Sequence, residues 1–279
     1  MSSGRRRSSL RTALLALPAA FGITMVAATS ASAHYVYYIE QVWSNPDSSR
    51  CLINRAETSH GSTGGGFFKG TSSSQADVDP NPLDCVLGWE RNAGELAEGM
   101  IVYKWYVDVN GDGSWLICDR TDQWYMNSVP AAGFELKWTA PAETLCGAGY
   151  YSIRNYAGMV DSGEWVGLNA TVYSGYHLLP DYSELSTKAA AQSEPTVPDW
   201  FKSADTSDDP AAIPVADANG EPVRNSDGSL FTVSPNLPEP TAAAIATAAQ
   251  EPAGKRTITT DADGNVTETV AGQLTRPTP

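Results

Sequence analysis

The chain has 279 residues, 32 acids against 18 basic residues, and a formal net charge of −14. That balance excludes nucleic acid and anionic membrane surfaces as partners, because both require lysine and arginine to neutralise their charge. Four cysteines and three histidines are the thiol and imidazole metal ligands available.

Residues 1–33 carry Arg5, Arg6, Arg7 and Arg11 and no acid, then an apolar run, and close on Ala31-Ser32-Ala33. A charged start, a short apolar stretch and small residues at the end define a signal peptide, removed after Ala33. The apolar run is short and contains Pro18, which argues against a membrane span. Arg6-Arg7-Ser8-Ser9-Leu10-Arg11 is similar to the twin-arginine export pattern, and an ordinary arginine-rich leader reads the same way, so the route stays open. Either route predicts a secreted, extracellular protein. Cleavage takes the charge from −14 to −18 and leaves 246 residues beginning at His34.

Residues 34–182 predict an all-β domain. HYVYYIEQVW, CLINRAETSH, MIVYKWYVDV, SWLICDR, GFELKWTA, GYYSIRNYAGMV and EWVGLNATVYSGYHLL are dense in β-branched and aromatic residues. Clusters of Gly, Pro, Asn, Asp and Ser separate them. About seven strands in this length predict an antiparallel sandwich or an open barrel. Cys51, Cys85, Cys118 and Cys146 are spaced 34, 33 and 28 apart, too far for CxxC metal or redox pairs, so two disulfides are expected. Three connectivities are possible, of which Cys51–Cys85 with Cys118–Cys146 is favoured. The strings SSRCLINRAETSHG, CGAGYYSIRNY and SGYHLLP resemble a group of small secreted β-rich proteins of high-GC Gram-positive bacteria. The resemblance spans residues 34–180 and implies a domain boundary, with no activity attached.

All twelve tyrosines and seven of eight tryptophans lie before residue 183. Residues 183–279 hold only Trp200, Phe201 and Phe231 as aromatics and are rich in Pro, Ala, Thr, Ser and Asp. So little apolar surface does not offset the entropy of ordering, which predicts an acidic, mostly disordered tail. Within it, TAAAIATAAQ favours helix, and IPVADANGEPV and TITTDADGNVTETV place NG and DG where marginal hairpins would turn.

Two metal sites are legible as candidates. Folding HYVYYIEQVW back on CLINRAETSH around SNPDSSR places Trp43 opposite Cys51 and His34 opposite His60. Two imidazoles and a free amine suit Cu(II), so copper is the expected cofactor of that pair. The set resembles the histidine brace of lytic polysaccharide monooxygenases, with His34 matching the terminal histidine and His60 the second one. That resemblance implies a copper-binding protein or oxidase. The other reading is a histidine merely exposed by cleavage, with His60 ending a strand. His177, between Tyr176 and Leu178, reads as a packed or surface strand residue. DVNGDGSWLICD matches the calcium-loop template except at its end, making Asp108, Asn110, Asp112, Ser114 and Asp119 candidate calcium ligands. The competing reading is a metal-free hairpin whose glycines adopt positive φ.

No G-x-S-x-G, HExxH, phosphate loop or zinc pattern is present, so no catalytic residue is assigned. The aromatics are dense for one small core, and Tyr35, Tyr37, Trp105 and Trp124 are candidates for an exposed ligand-binding row; the competing reading is that the aromatics fill a thin two-sheet core. The expectation is a non-enzymatic binding or surface module for a polysaccharide or cell-envelope component, with an extracellular glycan or protein as partner.

Overall fold

A computed structural model describes residues 35–60, 65–76, 87–179, 193–203, 205–238, 240 and 255–279. Residues 1–33, expected as a signal peptide, lie outside the described residues, as do His34, Cys85 and TAAAIATAAQ. β1 (Tyr35–Ser44), β2 (Arg50–His60) and β3 (Gly66–Ala76) pair consecutively and antiparallel. Asn45 builds the first loop: its Oδ1 accepts from the Arg50 N–H at 2.8 Å, and its own N–H donates to the Arg50 carbonyl at 3.0 Å. From Tyr35 opposite Ser59 to Gln41 opposite Ile53, the register is the one expected from the sequence. A bulge after Gln41 then places Trp43 opposite Leu52, and Ser44 rather than Trp43 opposite Cys51. The extra residue shifts the pairing by one beside the loop while the rest of the strand keeps its faces.

Next in the chain come β4 (Leu87–Gly88), β5 (Leu96–Val107), β6 (Gly113–Arg120), β7 (Tyr125–Met126) and β8 (Gly133–Ala140). β9 (Gly149–Asp161), β10 (Glu164–Val166), β11 (Thr171–Tyr173) and β12 (His177–Leu179) follow. After residue 182 lie the short helix α1 (Asp199–Lys202), then β13 (Ile213–Pro214), β14 (Thr232–Val233), β15 (Arg256–Thr260) and β16 (Val266–Ala271). One sheet runs β1-β2-β3-β8-β16-β15, with β4 on β3. The other runs β10-β9-β5-β6, with β11 and β12 on β9 and β7 on β5. The expected sandwich is therefore present, and the open barrel is not.

β5 explains the architecture. Ten of its twelve residues are buried in an unbroken run, so both of its faces are covered. Leu96, Met100 and Val102 face the first sheet, packing with Leu52, Phe68, Phe134, Leu136 and Ile153. The alternate residues Ala97, Ile101, Tyr103 and Trp105 belong to a second core with Trp115, Trp124, Tyr156, Phe201 and Ile213. The second core is closed by the segment after residue 192, which makes three layers of two sheets and a cover.

That cover corrects the expectation of a disordered tail for residues 193–203, 205–238 and 255–279. The segment supplies few large side chains of its own, but it offers backbone carbonyls to donors already displayed by the second sheet. The indole N–H groups of Trp105, Trp115 and Trp124 donate to the carbonyls of Ser193 (3.1 Å), Thr196 (3.0 Å) and Pro238 (2.6 Å). The Tyr156 hydroxyl donates to the Pro235 carbonyl. Phe201 inserts between Tyr103 and Trp115, with ring centroids at 4.9 and 5.0 Å. Arg154 of β9 forms a fully buried ion pair with Asp209. Composition counts only what a segment buries of itself, and here the apolar surface belongs to the partner layer. β16 also joins the first sheet, parallel to β8, and the TITTDADGNVTETV hairpin forms as expected, with Arg256 opposite Val270 and Thr260 opposite Val266.

Candidate binding groove on the edge strand

β1 is a sheet edge, and its side chains are the most exposed aromatics of the described chain: Tyr35 is 53%, Tyr37 46% and Tyr38 51% accessible. Alternation puts Tyr35 and Tyr37 on the outer face and Tyr38 toward the second sheet. Tyr35 and Tyr37 stack at 5.5 Å, and the Arg55 guanidinium lies 4.4 Å above the Tyr37 ring. On the other side, Tyr38 stacks on Tyr173 of β11 at 4.9 Å. These rings, with Gly175, Tyr176 and Val197, line a groove of about 440 Å³. Burial, together with the neighbouring Tyr38, pushes the Tyr173 phenol up to about 12. A second cleft of about 530 Å³ opens at the other end of β1, walled by Trp43, Trp124 and Trp165 with Gln41, Asn169 and Asp205 as its polar groups.

The four aromatics expected as a binding row therefore separate. Tyr35 and Tyr37 are exposed and adjacent. Trp105 is only 3% accessible and lies beneath the C-terminal cover, bonded to Ser193. Trp124 is nearly as buried and engages Pro238, while contributing one wall of the larger cleft. Tyr38, Tyr173, Trp43 and Trp165 were not singled out from the sequence. Their convergence depends on the two sheets meeting at the β1 edge, which local composition does not encode.

The calcium-ligand set is not brought together. Asp108 Oδ1 accepts from the N–H groups of Asn110 (2.8 Å) and Asp112 (2.9 Å), and Gly111 takes φ of +89°. The Asp112 N–H bond, with the other bonds from its own loop, holds the Asp108 carboxyl below its ordinary range. Ser114 lies on β6 opposite Tyr106, whereas Asp119 lies at the far end of β6 opposite Val102, buried and paired with Arg276 at 3.3 Å. The loop is a tight hairpin turn joining β5 to β6. The same construction recurs at Asp217 and Asp261, whose Oδ1 atoms accept from residues two and four positions on.

Cys118 and Cys146 form the expected disulfide, with Cα atoms 5.9 Å apart. Cys51 is disulfide-bonded as well, and Cys85 lies outside the described residues. Cys118, Asp119 and Cys146 are the one group of three or more close His, Cys, Asp or Glu ligands among the described residues. With both sulfurs in a disulfide and Asp119 on Arg276, the oxidised cluster has no thiolate to offer a metal.

His60, at the end of β2, meets a partner that local sequence does not show. Its ring stacks on His177 of β12, with centroids 5.7 Å apart and planes 19° from parallel. His177, expected as a packed or surface strand residue, has its ring partner on the other sheet. No family model, curated protein or solved structure matches the chain. No helix of the described residues is long and apolar enough to cross a membrane.

Proposed function

We propose that this protein is a secreted, non-enzymatic binding module whose ligand is an extended glycan, from a polysaccharide or a cell-envelope component, lying along β1. The observation that carries this reading is the line of aromatics on one edge strand, from Tyr35 and Tyr37 to Trp43, with a groove at each end. Aromatic faces with polar tips suit sugar rings, which offer an apolar C–H face and hydroxyls at the rim. Ten residues of strand span roughly 33 Å, the length of an oligosaccharide rather than of one sugar. Arg55, held by Glu57 at 2.8 Å, lies over the Tyr37 ring and limits the entropy lost when a ligand packs against it. Lys69 and Glu135 continue a charged outer face beyond Glu57.

The test is binding of the purified chain to a glycan array and to insoluble polysaccharides. Tyr35→Ala and Tyr37→Ala should each weaken binding about tenfold, equivalent to about 1.4 kcal/mol. Background binding across the panel, or a double variant that binds as the parent does, would overturn the reading.

A further inference from the structure

We propose that His60 and His177 form a binding site for a divalent transition-metal ion, Cu(II) foremost, at the head of the tyrosine groove. The chain holds three histidines, and two of them, 117 positions apart on different sheets, bring their rings together. Two imidazoles bound to one metal at 2.0–2.1 Å place their ring centroids roughly 4.5–6.3 Å apart as the N–metal–N angle opens from 90° to 180°. The observed 5.7 Å lies inside that window. Both side chains are half-buried, which permits solvent and ion entry while the strands beneath hold the rings. Thr58 and Ser174, two and three residues away from the two histidines, bond to each other at 2.7 Å and fix the strand ends in relation to one another.

The donor set selects the class of metal. Imidazole suits copper, zinc and nickel, whereas calcium and magnesium want carboxylate and carbonyl oxygens. Two imidazole donors favour nitrogen-preferring ions, and Cu(II) most strongly in the divalent series. The net charge of −14 raises the local concentration of any cation. The pair also sits beside the groove: Ser59, next to His60, is opposite Tyr35, and His177 follows Tyr176. The site is independent of what the groove binds, and His34 lies outside the described residues.

Titration of the purified full chain with Cu(II), followed by calorimetry and electron paramagnetic resonance, tests it. The expected result is one equivalent bound, with nitrogen hyperfine structure from two imidazoles and no competition from excess Ca(II). His60→Phe and His177→Phe keep a stacked ring pair but remove the donor nitrogens. Each should weaken Cu(II) binding at least about tenfold while leaving the circular dichroism spectrum unchanged. If both folded variants bind Cu(II) as the parent does, or if the parent binds none, the proposal fails and the rings are a packing contact only.

Discussion

Arg154 and Asp209 meet at 2.5 Å with both side chains almost wholly out of solvent, joining the central strand of one sheet to a segment 55 residues further along the chain. Arg154 also donates to the Thr171 hydroxyl at 2.6 Å and the Ser203 carbonyl at 3.3 Å, so its guanidinium is held by groups from both layers. Removing one member of such a pair strands a buried charge. Asp209→Ala should therefore cost about 3–5 kcal/mol. Chemical denaturation measures the loss. An effect below 1 kcal/mol would mean that the segment docks without this pair.

A chain ending at Tyr182 lacks Phe201, Ile213 and the carbonyl partners of three indoles. It should expose Tyr103, Trp105, Trp115 and Trp124 as one continuous apolar face. The expected outcome is strong binding of a hydrophobic dye, red-shifted tryptophan emission and self-association in size-exclusion chromatography. A monomeric, dye-silent fragment would contradict the three-layer arrangement.

Two buried titratable groups face the inner core from β5, and they act in opposite directions. Burial pushes the Glu98 carboxyl well above its ordinary value, although Asn155 donates to it at 2.5 Å. The folded protein keeps this proton where the unfolded chain has released it, so stability is fully present below about pH 4.5 and declines as pH rises above it. Glu98→Gln retains the acceptor for Asn155 and should flatten that decline, raising the urea midpoint at pH 7 relative to the parent. Burial lowers the Lys104 ammonium from 10.5 to about 8, against the opposing attraction of Glu221. Between about 8 and 10.5 the folded chain has released this proton and the unfolded chain still holds it, so this group adds stability as pH rises through that window. Lys104→Met should remove the alkaline rise in a pH series of denaturation curves.

Calcium should leave the melting temperature unchanged. The oxygen that a calcium ion would need from Asp108 already accepts two backbone N–H groups, and Asp119 is buried on Arg276. Differential scanning calorimetry with millimolar Ca(II) and with chelator gives the comparison. Gly111→Ala, in contrast, forces an L side chain to φ of +89° and should cost roughly 1–2 kcal/mol whether or not calcium is present.

Much of the sandwich was legible because β-branched and aromatic runs declare their own strands. Each of the seven expected segments contains at least one strand. β3 was not legible: GFFKGTSSSQA is rich in Gly, Ser and Thr, and its alternation of buried and half-buried residues only acquires meaning between β2 and β8. The unbroken apolar run of β5 did carry a message about two-sided burial, but its cover could not be identified, since that cover contributes carbonyls and prolines more than apolar side chains. For the candidate sites, Tyr35 and Tyr37 were visible as aromatics on a first strand. The His60–His177 contact was not, because it depends on β12 pairing with β9 and on β9 packing against β2.

β16 is among the last elements of the chain, yet it is the strand that pairs with β8 in the middle of the first sheet's path. Its Glu268 is fully buried, held by the Ser128 N–H at 2.6 Å, the Ser128 hydroxyl at 2.7 Å and Arg256. Until β16 has been made, β8 has an open edge and Ser128 lacks its acceptor. The order of synthesis and the order of the sheet therefore conflict. A nascent chain that has not yet reached β16 holds an incomplete sheet, and the pairing of β8 with β16 comes after that of β8 with β3, as parallel pairing over a long sequence separation requires. Stalled or prematurely ended chains would be marked by that bare edge, giving proteases and holding chaperones a simple criterion for incompleteness.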